Sequence, residues 1–106
     1  MRLYHNPRCS KSRQALALLA DTGIEFEEYR YLKEGIDDED MLTLFGVPGI
    51  IRVADLNPED ELDLMEFDEF KSLLKSRPEV LQRPVLIRDG LAVIGRPPHD
   101  ILTLLP

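Results

Sequence analysis

Two segments with different hydrophobic periods meet near the N-terminus, and their junction constrains the fold more than any other feature of the chain. Arg2-Leu3-Tyr4-His5 is short and β-compatible, and Asn6-Pro7 marks a turn that also removes one backbone donor. Ala15, Leu16, Leu19 and Ala20 then fall on one face at helical spacing, and Gly23 supplies a C′ stop. Phe26-Glu27-Glu28-Tyr29-Arg30-Tyr31 alternates aromatic with charged residues and reads as a second strand. A helix of about ten residues between two strands is the length of a right-handed crossover, so the chain opens on a parallel β-α-β unit.

The other end carries an independent constraint. Pro84-Val85-Leu86-Ile87-Arg88 and Leu91-Ala92-Val93-Ile94-Gly95 are apolar runs separated by Asp89-Gly90, a strong signal for an antiparallel hairpin. Arg96-Pro97-Pro98-His99-Asp100 leads into a final helix through Ile101, Leu102, Leu104 and Leu105. Between the two ends, Asp37 or Asp38 caps a helix with an apolar stripe at Met41, Leu42 and Phe45, closed by Gly46 and Pro48-Gly49. Phe67, Phe70, Leu73 and Leu74 define another amphipathic helix, ending near Ser76-Arg77-Pro78. Ile50-Ile51-Arg52-Val53 is apolar apart from its arginine, and Asn57-Pro58 before Glu59-Asp60-Glu61 reads as a turn into a helical turn. The expected architecture is a single α/β domain over residues 1–106. It has a mixed sheet of about four strands flanked by helices, with a helical insertion in the middle.

Composition narrows the function. A chain of 106 residues buries a core without staples, and its one cysteine cannot form an internal disulfide. A ligand cluster with zinc spacing is missing, so no metal is expected. No apolar run approaches the roughly 20 residues that cross a bilayer, and the N-terminus has no signal-peptide apolar segment, which points to the cytoplasm. The net charge of −7 argues against nucleic acid. The charge is unevenly spread: residues 1–20 hold four basic groups and no acid, residues 21–81 six basic and eighteen acidic, and residues 82–98 three basic groups and only Asp89. A fold that joins the two ends makes a positive pocket on an acidic body, suited to a small anion.

The only cysteine, Cys9, stands at the strand-to-helix junction among Arg8, Lys11 and Arg13. There the free N–H groups and dipole of a helix N-terminus favour a thiolate and receive an oxyanion, and the cations act in the same sense. The arrangement is not a phosphatase loop, which needs Cys-x5-Arg, because the sixth residue after Cys9 is Ala15.

Three motifs, in order, closely resemble the glutaredoxin-coupled arsenate reductase family: Tyr4-His5-Asn6-Pro7-Arg8-Cys9-Ser10-Lys11-Ser12-Arg13, Gln82-Arg83-Pro84, and Gly95-Arg96-Pro97-Pro98. The resemblance spans nearly the whole chain and implies a thioredoxin/glutaredoxin-like fold in which Pro84 is a cis-proline facing the cysteine. It implies that Cys9 attacks arsenate, that glutathione reacts with the arsenic–sulfur adduct, and that glutaredoxin completes reduction to arsenite. Arg83, Arg96 and Arg52 take the positions of the oxyanion-binding arginines, although Val53-Ala54-Asp55 departs from the basic or polar run that usually follows the third. His5 and Ser12 take positions that tune the thiolate. No bound cofactor is implied, with glutathione a co-substrate; neither nucleic acid nor membrane is an expected partner. Guanidinium forks suit tetrahedral anionic oxygens, which supports the same assignments on chemical grounds.

Two other functions share this fold. One is an RNA-polymerase-binding redox regulator, which usually carries Cys-x-x-Cys; here the second position is Ser12, so an internal switch cannot form. The other is a monothiol oxidoreductase or adaptor with a different substrate.

Overall fold

The computed structural model describes residues 1–52 and 65–106. Strands β1 (Arg2–Tyr4), β2 (Glu27–Tyr29), β3 (Val85–Arg88) and β4 (Leu91–Ile94) form one sheet in the order β2-β1-β3-β4. β1 runs parallel to β2 and antiparallel to β3, and β3 antiparallel to β4. The parallel β-α-β unit and the hairpin read from the sequence thus meet along β1 and β3. Asp89 and Gly90 both have positive φ, 50° and 76°, the conformation a two-residue hairpin turn requires.

Alternation along the central strands divides the core into two layers. Leu3 and Leu86 point to one side, where Ala15 and Leu19 of α1 (Ser10–Asp21) and Ile101 cover them. Tyr4, Val85 and Ile87 point to the other, against Tyr31, Met41, Leu44, Phe70 and Leu74. That second layer comes from α2 (Tyr31–Glu34), α3 (Asp38–Phe45) and α4 (Phe67–Ser76). The result is a mixed four-stranded sheet between helical layers, the thioredoxin-like arrangement.

Local signals set the helix ends. Thr22 and Gly23 donate N–H bonds to Leu19 and Ala20 carbonyls, with Gly23 at φ 75° stopping α1. Asp37 caps α3 by accepting the Glu39 N–H. The acids there also face Arg2, whose Nη1 donates to Asp37 at 2.7 Å and Asp40 at 2.8 Å, while the Tyr4 hydroxyl donates to Asp40 at 2.6 Å. This polar knot ties α3 to β1.

Two boundaries differ from expectation. β2 ends at Tyr29, because Tyr31 is fully buried as the first residue of α2 rather than continuing the alternation. The C-terminal helix is a 3₁₀ helix, Pro98–Leu104, not an α-helix. Three residues per turn stack Pro98, Ile101 and Leu104 in one line toward the sheet and leave Leu102 exposed. Ile50–Arg52 pairs with Val80–Gln82: Ile51 bridges Leu81, Arg52 N–H reaches the Val80 carbonyl and Gln82 N–H the Ile50 carbonyl, both at 2.7 Å. The turn expected at Asn57-Pro58, the helical turn at Glu59-Asp60-Glu61, and Val53 lie outside the described residues. Among the described residues no helix is long and apolar enough to cross a membrane.

Candidate active site

Cys9 is the N-cap of α1, with extended backbone at φ −94° and ψ 122°. The loop before it is wound onto the first helical turn. Cys9 N–H donates to the Asn6 carbonyl at 3.0 Å, Asn6 Oδ1 accepts the Arg8 N–H, and the Cys9 carbonyl accepts the Arg13 N–H. The sulfur therefore faces the open N–H groups of the helix start, half-exposed to solvent.

Beneath this loop lie His5 and Ser12, 2% and 0% exposed. Ser12 Oγ accepts the Asn6 N–H at 3.0 Å and lies 2.7 Å from His5 Nδ1. Burial pushes the His5 pKa below its ordinary value, so the ring is neutral at neutral pH. Ser12 Oγ and His5 Nδ1 thus share one proton between neutral groups, and the pair braces the loop from below.

Two arginines reach the site from the far end of the chain and a third from its middle. Arg83 precedes Pro84 through a cis peptide bond, and Gly95 N–H donates to the Pro84 carbonyl at 2.8 Å, which fixes Arg96 beside Arg83. Arg96 Nε donates to the Arg83 carbonyl at 2.9 Å and Arg96 Nη2 lies 3.7 Å from Cys9 Sγ. The Arg96-Pro97 bond is also cis, a feature the sequence did not announce. Arg52, carried by the Ile50–Arg52 pairing, lines a cleft of about 430 Å³ together with Asn6 and Arg83. Arg77 and Glu79 border the same cleft; Ser76-Arg77-Pro78 reads in sequence only as a helix end, so nothing there marks them.

The electrostatics of the sulfur follow. Partial burial pushes the Cys9 thiol up, but the Ser12 N–H, the Arg83 guanidinium and the Lys11 N–H favour the thiolate and hold the pKa below the ordinary thiol value. Arg8, Lys11 and Arg13 have exposed side chains, and Arg13 Nη1 donates to the Pro7 carbonyl. The chain thus brings Cys9, Arg83 and Arg96 together, sets Arg52 along the adjoining cleft, and buries His5 and Ser12 beneath. His99 is exposed in the C-terminal 3₁₀ helix, and its Nε2 lies 3.7 Å from the Asp100 carboxylate.

This arrangement has relatives. A protein of Neisseria meningitidis serogroup A named arsenate reductase is 36% identical, the match covering 99% of this chain and 97% of that one. A solved structure titled arsenate reductase from Vibrio cholerae superposes with a TM-score of 0.73 at 32% identity, covering 99% and 98% of the two chains. A putative arsenate reductase from Yersinia pestis gives a TM-score of 0.76 at 28% identity, over 97% and 98%. The profile of the ArsC family matches residues 4–104, a span that begins in β1, takes in Cys9, Arg83 and Arg96, and ends with the C-terminal helix. Sequence, fold and relatives agree that this chain belongs to the ArsC family, the family of arsenate reductases.

Proposed function

We propose that the chain reduces arsenate to arsenite with glutathione and glutaredoxin as electron donors. The observation that carries this reading is a thiolate-favouring N-cap cysteine with Arg96 Nη2 at 3.7 Å from its sulfur. Arsenate is an anion with tetrahedral oxygens; Arg83 and Arg96 bind it and Arg52 faces it from the cleft. The Cys9 thiolate displaces one arsenate oxygen, which leaves as water, and an arsenic–sulfur bond forms. The chain has no second thiol, so an external one must act next. Glutathione displaces a second oxygen as water, giving arsenic bonded to both sulfurs. A glutaredoxin thiol then attacks the glutathione sulfur: a mixed disulfide forms, the arsenic–sulfur bond to glutathione breaks, and its electron pair reduces As(V) to As(III). Water hydrolyses the remaining bond, releasing arsenite and restoring the Cys9 thiol.

His5 and Ser12 act by holding the Asn6–Cys9 loop, and the neutral His5 takes no charge from the site. An assay of arsenite formation with glutathione and glutaredoxin tests the reading. The wild-type chain is expected to turn over and Cys9→Ser to be inactive, with thioredoxin alone supporting little or no turnover. A reactive Cys9 without arsenite formation under either system would instead make the protein a monothiol oxidoreductase or adaptor.

A further inference from the structure

The two edges of the sheet are built differently. β2 carries the charges that usually guard a free edge: Glu27 and Glu28 are exposed, the first paired with Arg2 and the second with Arg30. β4, Leu91-Ala92-Val93-Ile94, has no charge, no proline and an unbroken register. Its ladder shows which groups are left over. The two-residue turn at Asp89-Gly90 makes Arg88 and Leu91 the hydrogen-bonded pair that closes the hairpin, and at the other end Gly95 N–H donates to the Pro84 carbonyl at 2.8 Å. Bonded and non-bonded pairs alternate along an antiparallel ladder, so Ala92 and Ile94, opposite Ile87 and Val85, turn their N–H and C=O groups away from β3. Among the described residues, no group is hydrogen-bonded to either on that outer side.

We infer that β4 pairs with β4 of a second copy of this chain, antiparallel about a two-fold axis at Val93, so that one sheet runs through both molecules. The register satisfies itself. With Val93 on the axis, Ala92 of each copy lies opposite Ile94 of the other, and every outward N–H meets an outward carbonyl. Charge selects a second copy over a strand of another protein. The body is acidic, with a net charge of −7, but residues 82–98 hold three basic groups and only Asp89, so two copies approach at β4 without opposing acids. The same register sets Gly90 opposite Arg96 of the other copy. It brings the Asp89 carboxylate, 83% exposed, beside that exposed guanidinium, and symmetry makes the match twice. Apolar surface flanks the pairing on the α1 side of the sheet, where Leu91 is 62% exposed and Leu102, on the 3₁₀ helix packed over β4, is 37% exposed. One short strand and a few leucines make an interface below standard size, so the dimer is transient, dissociating in the range of about 10–100 µM. This pairing does not draw on the chemistry proposed at Cys9.

Sedimentation velocity on the chain kept reduced by a phosphine, from about 5 to about 500 µM, is expected to show monomers converting to dimers without a Cys9 disulfide. Ala92→Pro removes one outward donor and leaves the ladder to β3 intact, and Leu91→Lys supplies the guarding charge that β4 lacks. Each is expected to weaken the dimer at least tenfold, and Asp89→Asn, which tolerates the positive φ of the turn, at least threefold; melting curves confirm that each variant is folded. Amide hydrogen exchange identifies the surface. Exchange at Ala92 and Ile94 is expected to slow as concentration rises, while Leu91 and Val93, bonded within the hairpin, stay slow throughout. A chain that remains monomeric over the whole range would overturn the inference. So would a dimer that leaves Ala92 and Ile94 unprotected, or one that folded Ala92→Pro and Leu91→Lys proteins form as tightly as the wild type.

Discussion

Ser12 contributes to the site through two separate groups. Its backbone N–H favours the Cys9 thiolate, while its hydroxyl accepts the Asn6 N–H and pairs with His5. Ser12→Ala keeps the first and removes the second, leaving a partly buried N–H and a buried imidazole nitrogen without their partner. Denaturant unfolding is expected to show a loss of about 1–3 kcal/mol, with Cys9 still titrating below an ordinary thiol. Arg83→Ala acts on the other term. It is expected to raise the Cys9 midpoint, followed by thiolate absorbance, and to weaken protection of Cys9 from alkylation by arsenate or sulfate more than tenfold, about 1.4 kcal/mol. The position of Cys9 at a helix start was legible because the hydrophobic period changes there. The source of its positive surroundings was legible only through the uneven spread of charge and the family motifs, not through the local neighbours. Arg8, Lys11 and Arg13 are neighbours in sequence, yet a helix start turns their side chains outward, and the cations at the sulfur arrive from Arg83 and Arg96 only once the sheet is assembled.

At the scale of elements, Gly95 governs how closely β4 approaches Pro84. A Cβ added there would stand 2.7 Å from Pro84 Cγ and 2.9 Å from Ile101 Cγ2, and neither ring nor packed isoleucine has room to yield. Gly95→Ala is expected to cost about 1–3 kcal/mol in thermal or denaturant unfolding and to weaken oxyanion protection of Cys9 by shifting Arg96. The motif value of this glycine is visible in sequence, but its reason is a tertiary contact. Elements fixed by local chemistry were legible: the Asp89-Gly90 hairpin, the Asp37 cap and the Gly23 stop each need only their own neighbours. The C-terminal helix was expected in place but not in type, because a tail rich in leucine satisfies both helical periods. The sheet selects the one that lines up Pro98, Ile101 and Leu104. Tyr31 misled in the same way, since aromatic alternation continues through it while burial as the first residue of α2 claims it.

For the whole molecule, the shifted groups predict a pH profile. Asp37, hydrogen-bonded to Arg2 and the Glu39 N–H, has a depressed pKa. Buried His5 and thiolate-favouring Cys9 are depressed too. In each case the unfolded chain holds the proton more tightly, so each contribution is complete above the unfolded pKa and is lost as pH falls through the folded one. Stability is therefore expected to climb with pH from the carboxylate range, through the histidine range near about 6.5, to the thiol range near about 8.5. Tyr4 is raised by burial and by its bond to Asp40, and Tyr29 by burial, so stability falls again once unfolded tyrosines ionise, above about pH 10. Urea unfolding across this range checks the shape, and Cys9→Ser is expected to flatten only its alkaline shoulder.

The solitary, half-exposed Cys9 also decides how the protein fails. A thiolate is the form that peroxide oxidises, and the sulfenic acid so made is ordinarily rescued by condensing with a neighbouring thiol. This chain has no neighbour to offer. Peroxide in the absence of glutathione is expected to carry Cys9 on to the irreversible sulfinic acid, read by mass spectrometry, while glutathione diverts it to a removable mixed disulfide. The small thiol proposed to complete each turnover is then also the guard that keeps the sulfur usable between turnovers.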